Sequence, residues 1–151
     1  MAIITTIDEL RGCSGREIAV TDWIEITQER INHFADAVED HQWIHTDPER
    51  AQRESPYGTT IAHGFLTLSL LPRFLEDVLQ LAGLRMAVNY GFNRVRFPAA
   101  VPAGSRIRAR FVLQSIRDVK DAIDATFLIT IESEGSDKPC CVAEWIARYY
   151  Q

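Results

Sequence analysis

Asp40 and His45, inside the stretch "EDHQWIH" from Glu39 to His45, are the residues of this sequence best suited to proton chemistry. A carboxylate and an imidazole that share one water molecule form a general acid/base unit, able to take one proton and return another near neutral pH. In a continuing helix the spacing would place the two side chains about 140° apart. In a turning loop they can converge on one point. Trp43 and Ile44, lying between them, would exclude bulk water and strengthen the polar interactions beside them. The same residues have a structural alternative, with Asp40 capping the next turn and His45 hydrogen-bonded at the surface or in the core. The spacing by itself does not choose between the two. A metal alternative would use His41, His45 and an acid such as Asp47. Its i, i+4 pair, His41 and His45, lies in a stretch bounded by Pro48, and no metal is expected.

A second cluster follows in "SPYGTTIAHGFLTLSLL", Ser55 to Leu71. A Ser-Pro-Tyr-Gly turn delivers the chain through Thr59, Thr60 and Ile61 into a long apolar segment that His63 opens. The start of a helix presents unpaired N–H groups, and Gly64, with no Cβ, would let a ligand oxygen approach them closely. A thioester carbonyl that becomes enolate-like during reaction is a group such donors stabilise. The alternative is that Gly64 permits close helix–sheet packing and His63 bonds locally.

The elements that must position these clusters are legible in the pattern. "EIAVTDWIEI" reads as a strand. "TQERINHFADAV" reads as a helix, with Thr27 as N-cap and Ile31, Phe34, Ala35 and Val38 at i, i+3, i+4 and i+7. That helix must end near Asp40, and Pro48 marks a new helix start. From Ala62 to about Leu81 a long helix is expected, apolar nearly all round and therefore enclosed, bent at Pro72 and stopped by Gly83. After it come four strands. "SRIRARFVLQ" sets Arg106, Arg108 and Arg110 opposite Ile107, Ala109 and Phe111. "AIDATFLITIE" turns Ile123, Ala125, Phe127, Ile129 and Ile131 one way and Asp124, Thr126, Thr130 and Glu132 mostly the other. Together with "MAVNYGFNRVRF" and "CCVAEWIARYY" they have short connections, which means antiparallel pairing. One enclosed helix and such a sheet give an α+β architecture in which the sheet curls around the helix. Residues 1–151 form a single domain, with 1–16 as a loose lead-in around "RGCSG".

Composition narrows the function classes. A net charge of -5 argues against nucleic acid, which asks for a basic face. No secretory signal is read in "MAIITTIDEL", and the apolar run from Ile61 to Leu71 is too short to span a bilayer. Three cysteines, Cys13 and the adjacent Cys140 and Cys141, suit buried thiols in a reducing cytoplasm. Val142, Trp145 and Ile146 on the last strand leave an apolar edge, from which a symmetric dimer is expected.

Taken together, the two clusters resemble the MaoC-like dehydratase family, which includes the (R)-specific enoyl-CoA hydratases, and within it the subgroup named after nodulation protein N. The family pattern of Asp, filler and His five residues on, an acid-Pro helix, then "I-x-H-G-x-L-x-x-S", is met by Asp40, "HQWI", His45, "TDPERA" and "IAHGFLTLS". The similarity runs from about Trp23 through the last strand. It implies the hotdog fold, a long central helix wrapped by a curved antiparallel sheet, and a homodimer with active sites near the subunit interface. It implies that Asp40 and His45 hold a catalytic water, that the Gly64 N–H is the oxyanion donor and that Ser69 is a pocket residue near the pair. Tyr57 stands where the family usually has Phe. Tyr57, Ile61, His63, Ser69 and Asn93 are the candidate substrate-binding residues, Asn93 because alternation puts it on one strand face with Asn89.

The expected activity is reversible hydration of a trans-2-enoyl-CoA to the (R)-3-hydroxyacyl-CoA, with an acyl-CoA thioester as partner and no metal or redox cofactor. Two rivals remain: an acyl-CoA thioesterase on the same fold, and a non-catalytic acyl-CoA-binding or scaffold protein.

Overall fold

A computed structural model describes residues 3–151. In chain order the elements are α1 (Ile7–Arg11), β1 (Glu17–Val20), β2 (Ile24–Glu25), α2 (Gln28–Val38), α3 (Trp43–Thr46), α4 (Pro48–Glu54), α5 (Gly64–Ser69), α6 (Leu71–Glu76), β3 (Met86–Arg96), β4 (Arg106–Val119), β5 (Ala122–Ser133) and β6 (Cys141–Tyr150). The strands form one antiparallel sheet in the order β1-β4-β5-β6-β3, with β2 also paired to β4. Its inner face supplies Ile107, Phe111, Leu113, Phe127, Ile129 and Ile131, all fully buried, against Leu71, Phe74 and Leu75 of α6 and Leu66 of α5. The helical layer sits in the curl of the sheet, which is the hotdog arrangement.

The central helix is not one rod. It breaks at Leu70, and Pro72 occupies the first turn of α6, where a missing N–H costs nothing, so it starts a helix instead of bending one. Regular helix stops at Glu76, short of Leu81 and Gly83. Nor is the segment enclosed all round. Phe65 is 70% exposed, while Leu66 and Thr67 beside it are buried.

The lead-in is more structured than expected. Thr6 accepts the Glu9 N–H while the Glu9 carboxylate accepts the Thr6 N–H, a complete capping box for α1. That helix buries Leu10, and the Ile4 N–H donates to the Val78 carbonyl at 2.9 Å. The strand expected from Glu17 to Ile26 is split. At the break the Thr21 N–H donates to the Ala109 carbonyl at 2.9 Å and the Thr21 hydroxyl accepts the Ala109 N–H at 3.0 Å, so the side chain supplies the acceptor that the backbone does not.

On the outer face Arg108 and Arg110 both pair with Glu132, and Arg106 with Glu134. Asp124, on the face opposite the apolar set, is buried there under Arg148 and Arg117, with the Arg148 guanidinium 3.9 Å from the Tyr90 ring centroid. The hydrogen-bonded Arg148 guanidinium holds the Asp124 carboxyl below the usual carboxylate range. The sheet edge also lies elsewhere than expected: β6 is interior, between β5 and β3, and the terminal strand on that side is β3, with β1 at the other end. Met86, Val88, Tyr90 and Phe92 are exposed along β3. Bulges between Asn89 and Gly91 and between Phe92 and Arg94 break its alternation, so Asn89 and Asn93 do not share a face by simple period.

Candidate active site

Asp40 leaves the end of α2 through Glu39, whose left-handed backbone (φ 60°, ψ 33°) turns the chain out of the helix. The Asp40 N–H still donates to the Ala35 carbonyl at 3.1 Å, which anchors the turn. The chain then re-enters a single helical turn, α3, which carries His45 inward to a buried position. Two bonds fasten that turn to the approach of α5: the Ile61 N–H donates to the Ile44 carbonyl at 3.0 Å, and His45 Nδ1 contacts the Ile61 carbonyl at 2.6 Å. From α2, Gln28 donates to the His45 carbonyl at 2.7 Å and accepts from the Thr60 hydroxyl.

These contacts fix the tautomers. A carbonyl can only accept, so His45 Nδ1 carries the proton and Nε2 keeps its lone pair. By the same reasoning His63 Nε2, 3.0 Å from the Asp40 carbonyl, is an N–H donor. The two imidazoles stack, with centroids 3.8 Å apart and planes inclined by 23°. One Asp40 carboxylate oxygen accepts the Gln42 N–H at 3.3 Å and the other lies 3.9 Å from His63 Nε2. Burial lowers the His45 pKa below the ordinary imidazole value and the neighbouring His63 adds to this, while the Ile61 carbonyl and Asp40 act the other way.

A ligand atom each from Asp40, His45 and His63 lie within 4.8 Å of one another, a spacing a metal ion could in principle use. The rings argue otherwise. Imidazole lone pairs lie in the ring plane, and nearly parallel stacked rings do not aim them at one point about 2 Å from each nitrogen. His63 Nε2 is also occupied by the Asp40 carbonyl. His41, the ligand considered from sequence, points away to Asp36 at 2.8 Å.

His45, Tyr57, Ile61 and Gly64 line one cleft of about 240 Å³, together with Phe97 and Cys140. A Cβ on Gly64 would lie 3.2 Å from the Phe97 ring. Burial pushes the Cys140 thiol up to about 12, so it offers no nucleophile to the cleft. His63 lies behind His45. Ser69 lies apart, its hydroxyl donating to the Leu66 carbonyl at 2.7 Å, beside a second groove of about 910 Å³ that Leu75, Leu79, Asn89 and Trp145 also line. Asn93 sits in a β3 bulge, exposed and in neither cleft. The Gln28–Thr60 tie and Phe97 have no counterpart in the motif reading. They are contacts between distant residues that no local pattern announces.

A carboxylate and an imidazole beside a cleft in the curl of a hotdog sheet are groups suited to acid/base chemistry. The family profile described as "MaoC like domain" matches residues 11–134. 3-Hydroxyacyl-thioester dehydratase Z of Mycobacterium tuberculosis is 51% identical over 150 residues, covering 99% of each chain. Nodulation protein N of Rhizobium meliloti is 44% identical over 151 residues, covering 94% of this chain and 89% of its own. Among solved structures, the (R)-hydratase from A. caviae involved in PHA biosynthesis superposes with a TM-score of 0.71 at 21% identity, covering 89% of this chain and 94% of its own. The chain belongs to the MaoC-like domain family.

Proposed function

We propose that the protein is an (R)-specific enoyl-CoA hydratase, adding water reversibly across a trans-2-enoyl thioester to give the (R)-3-hydroxyacyl thioester. The observation that carries this reading is the convergence of Asp40 and His45, with ligand atoms within 4.8 Å, where His45 lines a cleft shared with Gly64. The dehydratase relative at 51% identity supports it.

In this mechanism one water is held between the Asp40 carboxylate and the free lone pair of His45 Nε2. Its oxygen bonds to C3 as the pair takes its proton, and the C2–C3 π electrons move toward the thioester oxygen. The Gly64 N–H donates to that developing enolate. The pair then returns a proton to C2, so one water is consumed and the pair is restored. Dehydration is the same path reversed. Tyr57 and Ile61 bound the substrate space. Ser69 and Asn93 lie outside this cleft within one chain and take no step.

We also propose a homodimer. Met86, Val88 and Tyr90 are exposed on the edge strand β3, Phe92 is exposed beyond its bulge on the face it shares with Trp145, and a second copy of that strand is a natural complement for this open edge. Among the described residues no helix is long and apolar enough to cross a membrane. Three free cysteines fit a reducing compartment.

The test is the loss of enoyl absorbance from crotonyl-CoA, with the product scored by an (R)-specific 3-hydroxyacyl-CoA dehydrogenase. Release of free thiol at a matching rate would identify a thioesterase instead, and stable binding without turnover a binding protein.

A further inference from the structure

The ring of His63, 2% exposed, packs against two others: Phe34, with centroids 4.9 Å apart, and His45, at 3.8 Å. An apolar aromatic at this position would fill the same space and leave no polar atom behind. An imidazole does leave one. Its Nε2–H is spent on the Asp40 carbonyl, and its Nδ1 is buried without a hydrogen-bond partner among the described residues. A buried acceptor left unpaired is destabilising, so packing alone does not account for histidine here.

We infer that His63 is the positioning residue of the Asp40–His45 pair: its ring sets the plane of His45, and its Nε2–H holds the main chain from which the Asp40 carboxylate hangs. One buried side chain thereby fixes both partners at once. This rests on the acid/base role proposed for the pair. It moves His63 from the substrate-binding set, where the sequence placed it, to the layer behind the site.

Each contact has a consequence. Asp40 is about half exposed and follows a left-handed residue, so its carboxylate would sweep a wide arc if the backbone were loose. The His63 bond to the Asp40 carbonyl and the Gln42 N–H bond to the Asp40 carboxylate brace the turn from opposite ends of the residue. His45 is held at Nδ1 by the Ile61 carbonyl, but one hydrogen bond leaves the ring free to rock about it. Stacking on His63 removes that freedom and keeps the Nε2 lone pair on a fixed line. Misplacement of about 1 Å in such a unit costs on the order of 100-fold in rate.

Two substitutions separate the contacts. His63→Phe keeps the ring and removes the donor, whereas His63→Gln keeps a donor and removes the ring. Melting temperature, kcat and KM for crotonyl-CoA hydration, and hydrogen exchange at the Gln42 amide are measured on both. His63→Phe should melt at or above the parent temperature, lose about tenfold or more in kcat with KM little changed, and exchange the Gln42 amide about tenfold faster. His63→Gln should retain the Gln42 protection and recover part of the kcat lost in His63→Phe.

A folded His63→Phe with kcat within about twofold of the parent overturns the inference, as does a loss that appears wholly in KM. If His63→Phe does not fold, His63→Gln decides: retained Gln42 protection supports the inference and lost protection overturns it. If the parent protein does not hydrate crotonyl-CoA, the proposed function falls. The Gln42 exchange rates still report whether His63 holds the Asp40 turn.

Discussion

Gly64 lies against the face of Phe97, so that a Cβ on the glycine would meet three ring carbons at 3.2 Å. This is tighter than ordinary van der Waals contact but not prohibitive, because the Phe97 ring is 42% exposed and has room to shift. Sequence reasoning offered oxyanion access and close packing as alternatives for this glycine, and the Phe97 contact bears on the packing one.

Gly64→Ala therefore separates the two. Alanine favours helix by roughly 1 kcal/mol over glycine, which offsets much of the cost of moving an exposed ring. The melting temperature should stay within a few degrees of the parent. Turnover of crotonyl-CoA should fall by about tenfold or more, because the new methyl intrudes on the cleft beside the proposed oxygen site. A destabilised variant with full turnover per folded molecule would remove Gly64 from the site.

Asp40→Asn and His45→Gln should each lower kcat by ~100-fold or more with the fold retained. Asparagine still accepts from the Gln42 N–H, and glutamine at 45 still offers a donor toward the Ile61 carbonyl, so neither strips the local frame. The double variant should be scarcely slower than the worse single one, since two groups that hold one water fail together. Additive losses would show that the residues act separately.

The pH dependence follows from the lowered pKa of His45. Its largest cause is burial, followed by the Ile61 carbonyl acting upward, His63 downward and Asp40 upward. The neutral form needed as base should persist below pH 6.5, the ordinary imidazole value, and the acid limb of kcat/KM should lie beneath it. Stability has the same sign. Below the unfolded-state value the unfolded chain binds the proton first, so the His45 contribution is complete above about pH 6.5 and is lost as pH falls through the lower folded value. In His45→Gln that part of the acid sensitivity should disappear from melting curves taken across this range.

How far the sequence carried the structure depended on how local each signal was. The α2 helix with its Thr27 cap, the Pro48 start of α4 and the alternation of β5 are local patterns, and each appears where expected, except that Val38 at the end of α2 is exposed rather than on the buried face. The Thr6–Glu9 capping box is equally local, and "TIDE" before Leu10 was the readable sign of a helix where a loose lead-in was expected. Other features depend on distant partners. Alternation put Asp124 on the outer face, but its burial depends on Arg148, 24 residues away. The edge strand could not be named from composition, because it depends on strand order, which placed the apolar β6 inside and β3 outside. At the site, the spacing of Asp40 and His45 posed the question of convergence. The geometry that brings them together comes from Ile61 and His63 on a different segment.

Assembly gives the last test, and β3 decides its form. In solution the protein should sediment at about twice 17.1 kDa at micromolar concentration. The edge of β3 is an open ladder with exposed apolar side chains on it, and among the described residues no strand pairs with that edge. Met86→Glu combined with Val88→Glu would place four like charges on one face across a two-fold-related pair of these strands. Like charges facing one another across a pair of strands oppose pairing. That variant should sediment as a monomer, while the interior of the sheet, built from β4, β5 and β6, remains folded by circular dichroism. A parent protein that is a clean monomer and still hydrates crotonyl-CoA would show that the acid/base pair works without a second copy, and the exposed β3 row would then need another explanation.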